Sequence, residues 1–305
     1  MALTRREFGK LALAALPAAD VMTTGLFAQA TAKPNSLVAG VQLGLNVPYS
    51  FGNNNMSGDE TLANCVSLGV SALELRSQPV EAFLGRPALP AGRGAPASAY
   101  DEIRAWREKV SIDKAREFRD QYERAGVLIQ IVKFDRVPQM SDGELDYAFR
   151  LGKALGARAL SCEISKPDTA RIGKFADKHQ MWIGYHGHME TSDADWEATF
   201  GEAKFNGVNL DIGHYVAGHS KSPIPFLEKN HDRITHLHIK DRKKAAGPNV
   251  PFGEGDTPIK EVLQLLRSRK WPIQATIEFE YPVPTGSTRM AEIAKTLEFC
   301  RAALA

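Results

Sequence analysis

From residue 36 onward, short β-rich runs alternate with longer stretches whose apolar residues recur at helical spacing. The runs are LVAGVQL (37–43), SALELR (71–76), VLIQIVKF (127–134), ARALSCEI (157–164), MWIGYHGH (181–188), GVNLDIG (207–213), ITHLHIK (234–240) and IQATIEFE (273–280). Between them lie helix-period segments such as GDETLANCVSLG, SDGELDYAFRLGKALGA and DTPIKEVLQLLRSRK, and one long segment, residues 97–126. Ser141 and Glu144 read as a capping box, and Thr257 followed by Pro258 as an N-cap and first helical residue. Gly69, Gly126, Gly156 and Gly207 stand where helices should stop. Eight strand–helix units predict a single-domain α/β fold, a closed (β/α)₈ TIM barrel. An open doubly wound sheet would carry a glycine-rich phosphate turn after its first strand. The chain reads LGLNVPYSFGNNN there.

The alternation within the seventh run, THLHIKD (235–241), poses a chemical question. Thr235, Leu237 and Ile239 face one way, and His236, His238 and Lys240 the other. In a closed barrel the polar side is the inside, and the C-terminal strand ends form the active site. Those ends present Glu74 and Arg76, Glu163, His186 and His188, Asp211 and His214, and Glu278 and Glu280. Carboxylates from the fourth, sixth and eighth strands would converge there. Like charges that close do not all stay ionised without a cation. Two Glu, one Asp and one His suit Mn²⁺, Co²⁺ or Mg²⁺ better than a structural zinc, and leave positions open for a chelating substrate.

Composition adds little to this picture except at the N-terminus. The chain has 305 residues, 43% hydrophobic and 24% charged, with a formal net charge of +2. That balance offers no field to hold nucleic acid. No apolar run is long enough for a stable membrane span. Cys65, Cys162 and Cys300 form no disulfide framework and read as buried thiols. Residues 4–10, TRREFGK, precede an alanine- and leucine-rich stretch and then Ala28-Gln29-Ala30, a small-x-small cleavage pattern. Residues 1–30 therefore read as a twin-arginine-type signal peptide, recognised by the twin-arginine export machinery. The expected mature domain is 31–305, periplasmic or otherwise exported after cleavage near Ala30.

The strand-4 Glu in SCEIS, the sequence LDIGH, the sequence HLHIKD followed by FGEGD, and IEFE together resemble the xylose-isomerase-like TIM barrels, the sugar phosphate isomerase/epimerase superfamily. The resemblance spans nearly all of residues 37–305. It implies one divalent metal, Mn²⁺ foremost with Co²⁺, Mg²⁺ or Zn²⁺ admitted, held by Glu163, Asp211, His238 and Glu278. Glu280 shares a face with Glu278 and is the alternative ligand. The resemblance further implies that His214 contacts substrate oxygen, that His186, His188 and Lys240 line the pocket, and that Glu254 closes its edge. Glu163 and Glu278 are the expected catalytic pair, moving a proton next to a carbonyl through an enediolate. The expected substrate is a small carbohydrate: a free sugar, cyclitol or keto-glycoside, since no phosphate cradle is evident. Elimination by the same enolate is the alternative reaction, and a non-catalytic periplasmic sugar-binding barrel the alternative role. A nuclease of the endonuclease IV type would need a basic groove. An amidohydrolase would carry its HxH on the first strand, where the chain has VQLGLN. The long connection after the second strand, rich in Gly, Pro and Ala, is expected to shape the substrate pocket.

Overall fold

In the computed structural model, which describes residues 33–89 and 95–305, eight parallel strands form a closed sheet. They are β1 (Val41–Val47), β2 (Ala72–Arg76), β3 (Leu128–Lys133), β4 (Ala159–Glu163), β5 (Trp182–His186), β6 (Asn206–Asp211), β7 (Ile234–Ile239) and β8 (Gln274–Ile277). Each strand pairs with its successor, and β8 closes the ring on β1 with Ala275 opposite Leu43. Closure leaves no barrel strand as an unpaired edge. The expected signal segment 1–30 lies outside the described residues.

Strand alternation sorts the chain into two layers. Leu43, Leu73, Leu160 and Leu237 join helix residues Leu62, Leu151 and Leu266 in one apolar cluster. The alternate positions Asn46, Glu74, Lys133, Ser161, His186, Asn209, Asp211, His238 and Thr276 are polar and buried. The apolar layer supplies the burial that holds the barrel together, so the interior is free to carry chemistry.

Several expected elements move. The first strand begins four residues later than the hydrophobic run suggests. Leu37–Val38 instead folds back antiparallel on Val41–Gln42 through Ala39 and Gly40, both at positive φ. The strand therefore continues through LGLNV and brings Asn46 into the barrel. The segment 97–126 divides into helices Ala97–Arg107 and Ala115–Arg124. The long connection after β2 contains a further helix, Ser77–Phe83. Another helix, Ile212–His219, follows β6 at once, with the Asp211 side chain accepting the His214 N–H.

Capping explains the remaining boundaries. Ser141 and Glu144 do form a capping box. Gly69, Gly126 and Gly156 have the positive φ expected after a helix. Gly207 instead lies within β6, where a Cβ would sit 2.7 Å from the Arg233 carbonyl oxygen. Thr257 does not cap its helix, which starts at Ile259. Its hydroxyl accepts the Arg242 N–H at 3.1 Å. In β7, Thr235 is bulged: Val208 pairs with Ile234 and Asn209 with His236. Thr235 thus leaves the face of Leu237 and Ile239, and its hydroxyl donates to the Val208 carbonyl at 3.0 Å.

Asp241 organises the connection after β7. Its carboxylate accepts the backbone N–H groups of Gly253 (2.8 Å), Gly255 (2.9 Å) and Thr257 (3.2 Å). A Cβ at Gly255 would collide with the same carboxylate, so FGEGD is the partner that HIKD requires. Asp241→Ala would leave these three donors without their acceptor. At roughly 1 kcal/mol for each lost bond, we expect about 2–3 kcal/mol of destabilisation in urea unfolding. An unchanged midpoint would show that the loop is held by other contacts.

Candidate metal centre and active site

Three expected residues meet at the C-terminal ends of β6, β7 and β8. Register sets Asp211 opposite His238, and His238 opposite Thr276, two residues before Glu278. The Glu278 N–H continues the ladder by donating to the Ile239 carbonyl at 3.1 Å. His186, from β5, completes a buried group whose ligand atoms all lie within 4.8 Å of one another. His238 Nδ1 is 3.2 Å from Glu278 Oε2 and 3.8 Å from Asp211 Oδ2. His186 Nε2 is 3.4 Å from Asp211 Oδ2.

Glu163 stands one imidazole away. Its carboxylate meets His186 Nδ1 at 2.8 Å, His188 Nε2 at 2.9 Å and Lys133 Nζ at 2.8 Å. His186 therefore lies between Glu163 and Asp211. The side chain of Glu163 is 45% exposed, whereas that of Glu278 is 4% exposed. Burial would raise the Glu163 carboxyl, but His186, His188 and Lys133 outweigh it and hold it well below the usual range. His188 is raised, chiefly through its hydrogen bond to Glu163.

His238 is gripped from behind by Glu74, a fully buried residue of β2 whose carboxylate meets His238 Nε2 and lies 3.3 Å from His236 Nε2. Asn209 also approaches His238 Nε2, at 3.0 Å, and its Oδ1 is otherwise without a donor. Both contacts are satisfied if Nε2–H is shared by Glu74 and an Asn209 amide turned oxygen-first. That leaves His238 Nδ1, which has no hydrogen-bond partner, aimed at Asp211 and Glu278. Burial disfavours a charged ring, yet Glu278 and Glu74 raise the His238 pKa to about 10.

Lys240 follows β7 and reaches Asp211 at 2.9 Å, and Glu278 and Glu280 at 2.6 Å each. Burial opposes its charge, but these carboxylates raise its pKa well above the ordinary lysine value. Glu280 also accepts the Tyr49 hydroxyl at 2.7 Å. His214 is pushed down to about 4, first by burial and against the pull of Asp211. Arg242 approaches His214 Nδ1 at 2.7 Å and Lys240 Nζ approaches Nε2 at 3.2 Å, so the ring stands between two cations. Glu254 is exposed in the turn after Pro251, with no side-chain hydrogen bond or ion pair to this group among the described residues.

Two contributors escape a reading of strand ends alone. Asn46 donates to Glu278 Oε1 at 2.8 Å, which leaves Oε2 facing His238 and Lys240. It was hidden because the first strand ends four residues beyond its hydrophobic run. Lys133 shares its strand face with Ile131 and reads as an ordinary flanking charge. Its inward position follows from the β2–β3 register, which pairs it with Arg76.

The donor set fits a divalent cation. Glu163 faces the ammonium of Lys133, Asp211, Glu278 and Glu280 that of Lys240, and Glu74 the rings of His236 and His238. Arg76 is spent on Asp135 at 2.9 Å. His186, Asp211, His238 and Glu278 offer two nitrogens and two oxygens, with the orphaned His238 Nδ1 among them.

Comparison with known proteins agrees with this architecture. Residues 161–303 match the family model described as xylose isomerase-like TIM barrel. No curated protein matches the chain. Among solved structures, a xylose isomerase domain protein from Planctomyces limnophilus is similar, with 15% identity, 86% of this chain and 97% of that chain covered, and a TM-score of 0.61. A sugar phosphate isomerase/epimerase from Parabacteroides distasonis has 17% identity over 88% and 96% of the two chains, with a TM-score of 0.58. A probable 3-DHS dehydratase involved in petrobactin synthesis, from Bacillus anthracis, has 13% identity over 87% and 97%, with a TM-score of 0.59. The chain folds as a TIM barrel, and its C-terminal part matches the xylose isomerase-like form of that fold.

Proposed function

We propose that the protein is a divalent-metal-dependent isomerase or epimerase of a small carbohydrate: a free sugar, a cyclitol or a keto-glycoside. The observation that carries this reading is the buried group of His186, Asp211, His238 and Glu278, with Glu163 exposed beside it. A bound Mn²⁺, Co²⁺, Mg²⁺ or Zn²⁺ would polarise a substrate carbonyl and ease loss of the neighbouring C–H proton. Glu163 is the carboxylate best placed to take that proton, since it is the one that opens to the mouth. Lys240, with His214 beside it, lies where it can stabilise an enediolate oxygen. Glu278, on the opposite side, returns a proton to the neighbouring carbon or the other face. His186 and Asn46 set the orientation of Glu163 and Glu278 respectively.

A second reading, elimination, draws on His188. It is half-exposed, bonded to Glu163 and raised in pKa, so it can protonate a leaving hydroxyl or alkoxide after Glu163 removes the α-proton. Product analysis separates the readings, because only elimination releases water or an alcohol, whereas isomerisation and epimerisation keep the substrate's mass.

Three measurements test the proposal. The purified protein should hold about one equivalent of divalent metal, and an Asp211→Ala, His238→Ala double variant should hold none. No metal in the parent after reconstitution would sink the enzyme reading. Glu163→Gln and Glu278→Gln should each lower turnover by at least about 10², the lower end of general acid–base contributions. Full activity in both would remove them from the catalytic pair. Glu74→Gln should weaken metal affinity roughly 10–100-fold in a chelator competition, as loss of a ligand's outer partner typically does. Equal affinity would show that Glu74 does not orient His238.

A further inference from the structure

A cavity of about 390 Å³ opens at the C-terminal ends of β1 and β8, on the barrel face that carries the metal centre. Tyr49, Asn54, Asn249, Phe279, Glu280 and Arg289 line it. Glu280 joins this cavity to the centre. Its Oε2 and the Oε2 of Glu278 each accept from Lys240 Nζ at 2.6 Å, so a single ammonium separates the cavity wall from a carboxylate of the centre. His186, Asp211, His238 and Glu278 do not themselves line the cavity. A group that reacts at the metal therefore leaves this space for whatever is attached to it.

The wall is polar, fixed and balanced in charge. Arg289 is half-buried and held by groups that are not carboxylates. Its Nη1 donates to the Ser50 carbonyl at 3.2 Å, and its guanidinium lies 4.9 Å over the Phe279 ring. Gly52 permits that position: its φ is +79, and a Cβ there would stand 2.9 Å from Arg289 Nε. The Nε and Nη2 of Arg289 have no hydrogen-bond partner among the described residues. Tyr49 gives its hydroxyl proton to Glu280 at 2.7 Å, and its oxygen keeps the capacity to accept. Asn249 donates to Glu280 at 3.4 Å. Arg289 brings the lining one positive charge and Glu280 one negative charge. An anion that gains from the first is opposed by the second.

We propose that this cavity is a subsite for a second, uncharged sugar unit, so that the substrate is a glycoside whose other unit reacts at the metal centre. Donors on Arg289 and acceptors on Glu280 and Tyr49 match a ring that carries hydroxyls on several sides. The volume lies at the lower end of the roughly 300–1,000 Å³ of small-molecule pockets, which gives room for one ring beyond the reacting one. The inference rests on the carbohydrate reading above and narrows it from free sugars and cyclitols to glycosides.

The test is binding without turnover. The purified full-length protein, its metal content known, is titrated calorimetrically with cellobiose, maltose, sucrose, trehalose, glucose and glucose 6-phosphate. We expect at least one disaccharide to bind roughly tenfold or more tightly than glucose. Arg289→Gln should abolish that preference and leave glucose affinity unchanged. Asn54→Trp, which fills the cavity from an exposed turn, should do the same. Equal affinity for glucose and every disaccharide, or a preference intact in both variants, would overturn the subsite. Tighter binding of glucose 6-phosphate than of every disaccharide, lost in Arg289→Gln, would overturn the uncharged assignment. A disaccharide preference that both variants lose, in protein that takes up no metal, would sink the isomerase reading and leave the subsite standing. Bound metal without any disaccharide preference would sink the subsite alone.

Discussion

Carboxylates buried inside a closed barrel must be neutralised from within, because burial removes most of the water that would screen them. Everything at the mouth of this barrel answers that constraint. Lys240 serves three carboxylates at once, and Lys133 serves a fourth. Glu74 turns to His236 and His238. These pairings leave Asp211, Glu278 and the free nitrogen of His238 facing one another. So many buried ionisable groups are costly to desolvate, and the divalent cation proposed above would offset that cost and link the electrostatics of the fold to its chemistry.

The outer layer is what permits this expense. Each strand places apolar side chains outward under the helices, so hydrophobic stabilisation is collected outside the ring and the polar interior need not contribute to it. The same two-residue period delivers pairs of functional groups from single strands, as with His236 and His238, or Asn209 and Asp211. The bulge at Thr235 preserves that delivery. One extra residue in β7 is absorbed before His236, so Asn209 still faces His236 and Asp211 still faces His238.

Much of this was legible in the sequence. Period-two runs separated by helix-period segments suffice for the barrel, since few architectures accept eight such units. The strand-end residues Glu163, His186, Asp211, His238, Lys240 and Glu278 could be singled out because polar groups at a barrel's inner face need a reason. What escaped was set by geometry that periodicity does not carry. Ala39–Gly40 turns the first hydrophobic run back on itself, so Asn46 looked like loop. Lys133 looked like a flanking charge until the β2–β3 register turned it inward. The expected grouping of Glu163 with Asp211, His238 and Glu278 treated four strand ends as equivalent. The structure sets His186 between Glu163 and the other three.

That displacement bears on how two similar carboxylates acquire different work. Glu278 is buried, fixed by Asn46 on one oxygen and by Lys240 and His238 on the other. Glu163 is half-exposed and held by groups that line the approach to the site, two of them imidazoles. A carboxylate committed to fixed partners is suited to holding a cation or a single proton position. One at the solvent margin, within hydrogen-bond reach of two imidazoles, is suited to taking a proton from a substrate and passing it on. The asymmetry is built into the backbone: β8 ends before Glu278 and tucks it against β1 and β7, whereas Glu163 is the last residue of β4 and projects past it.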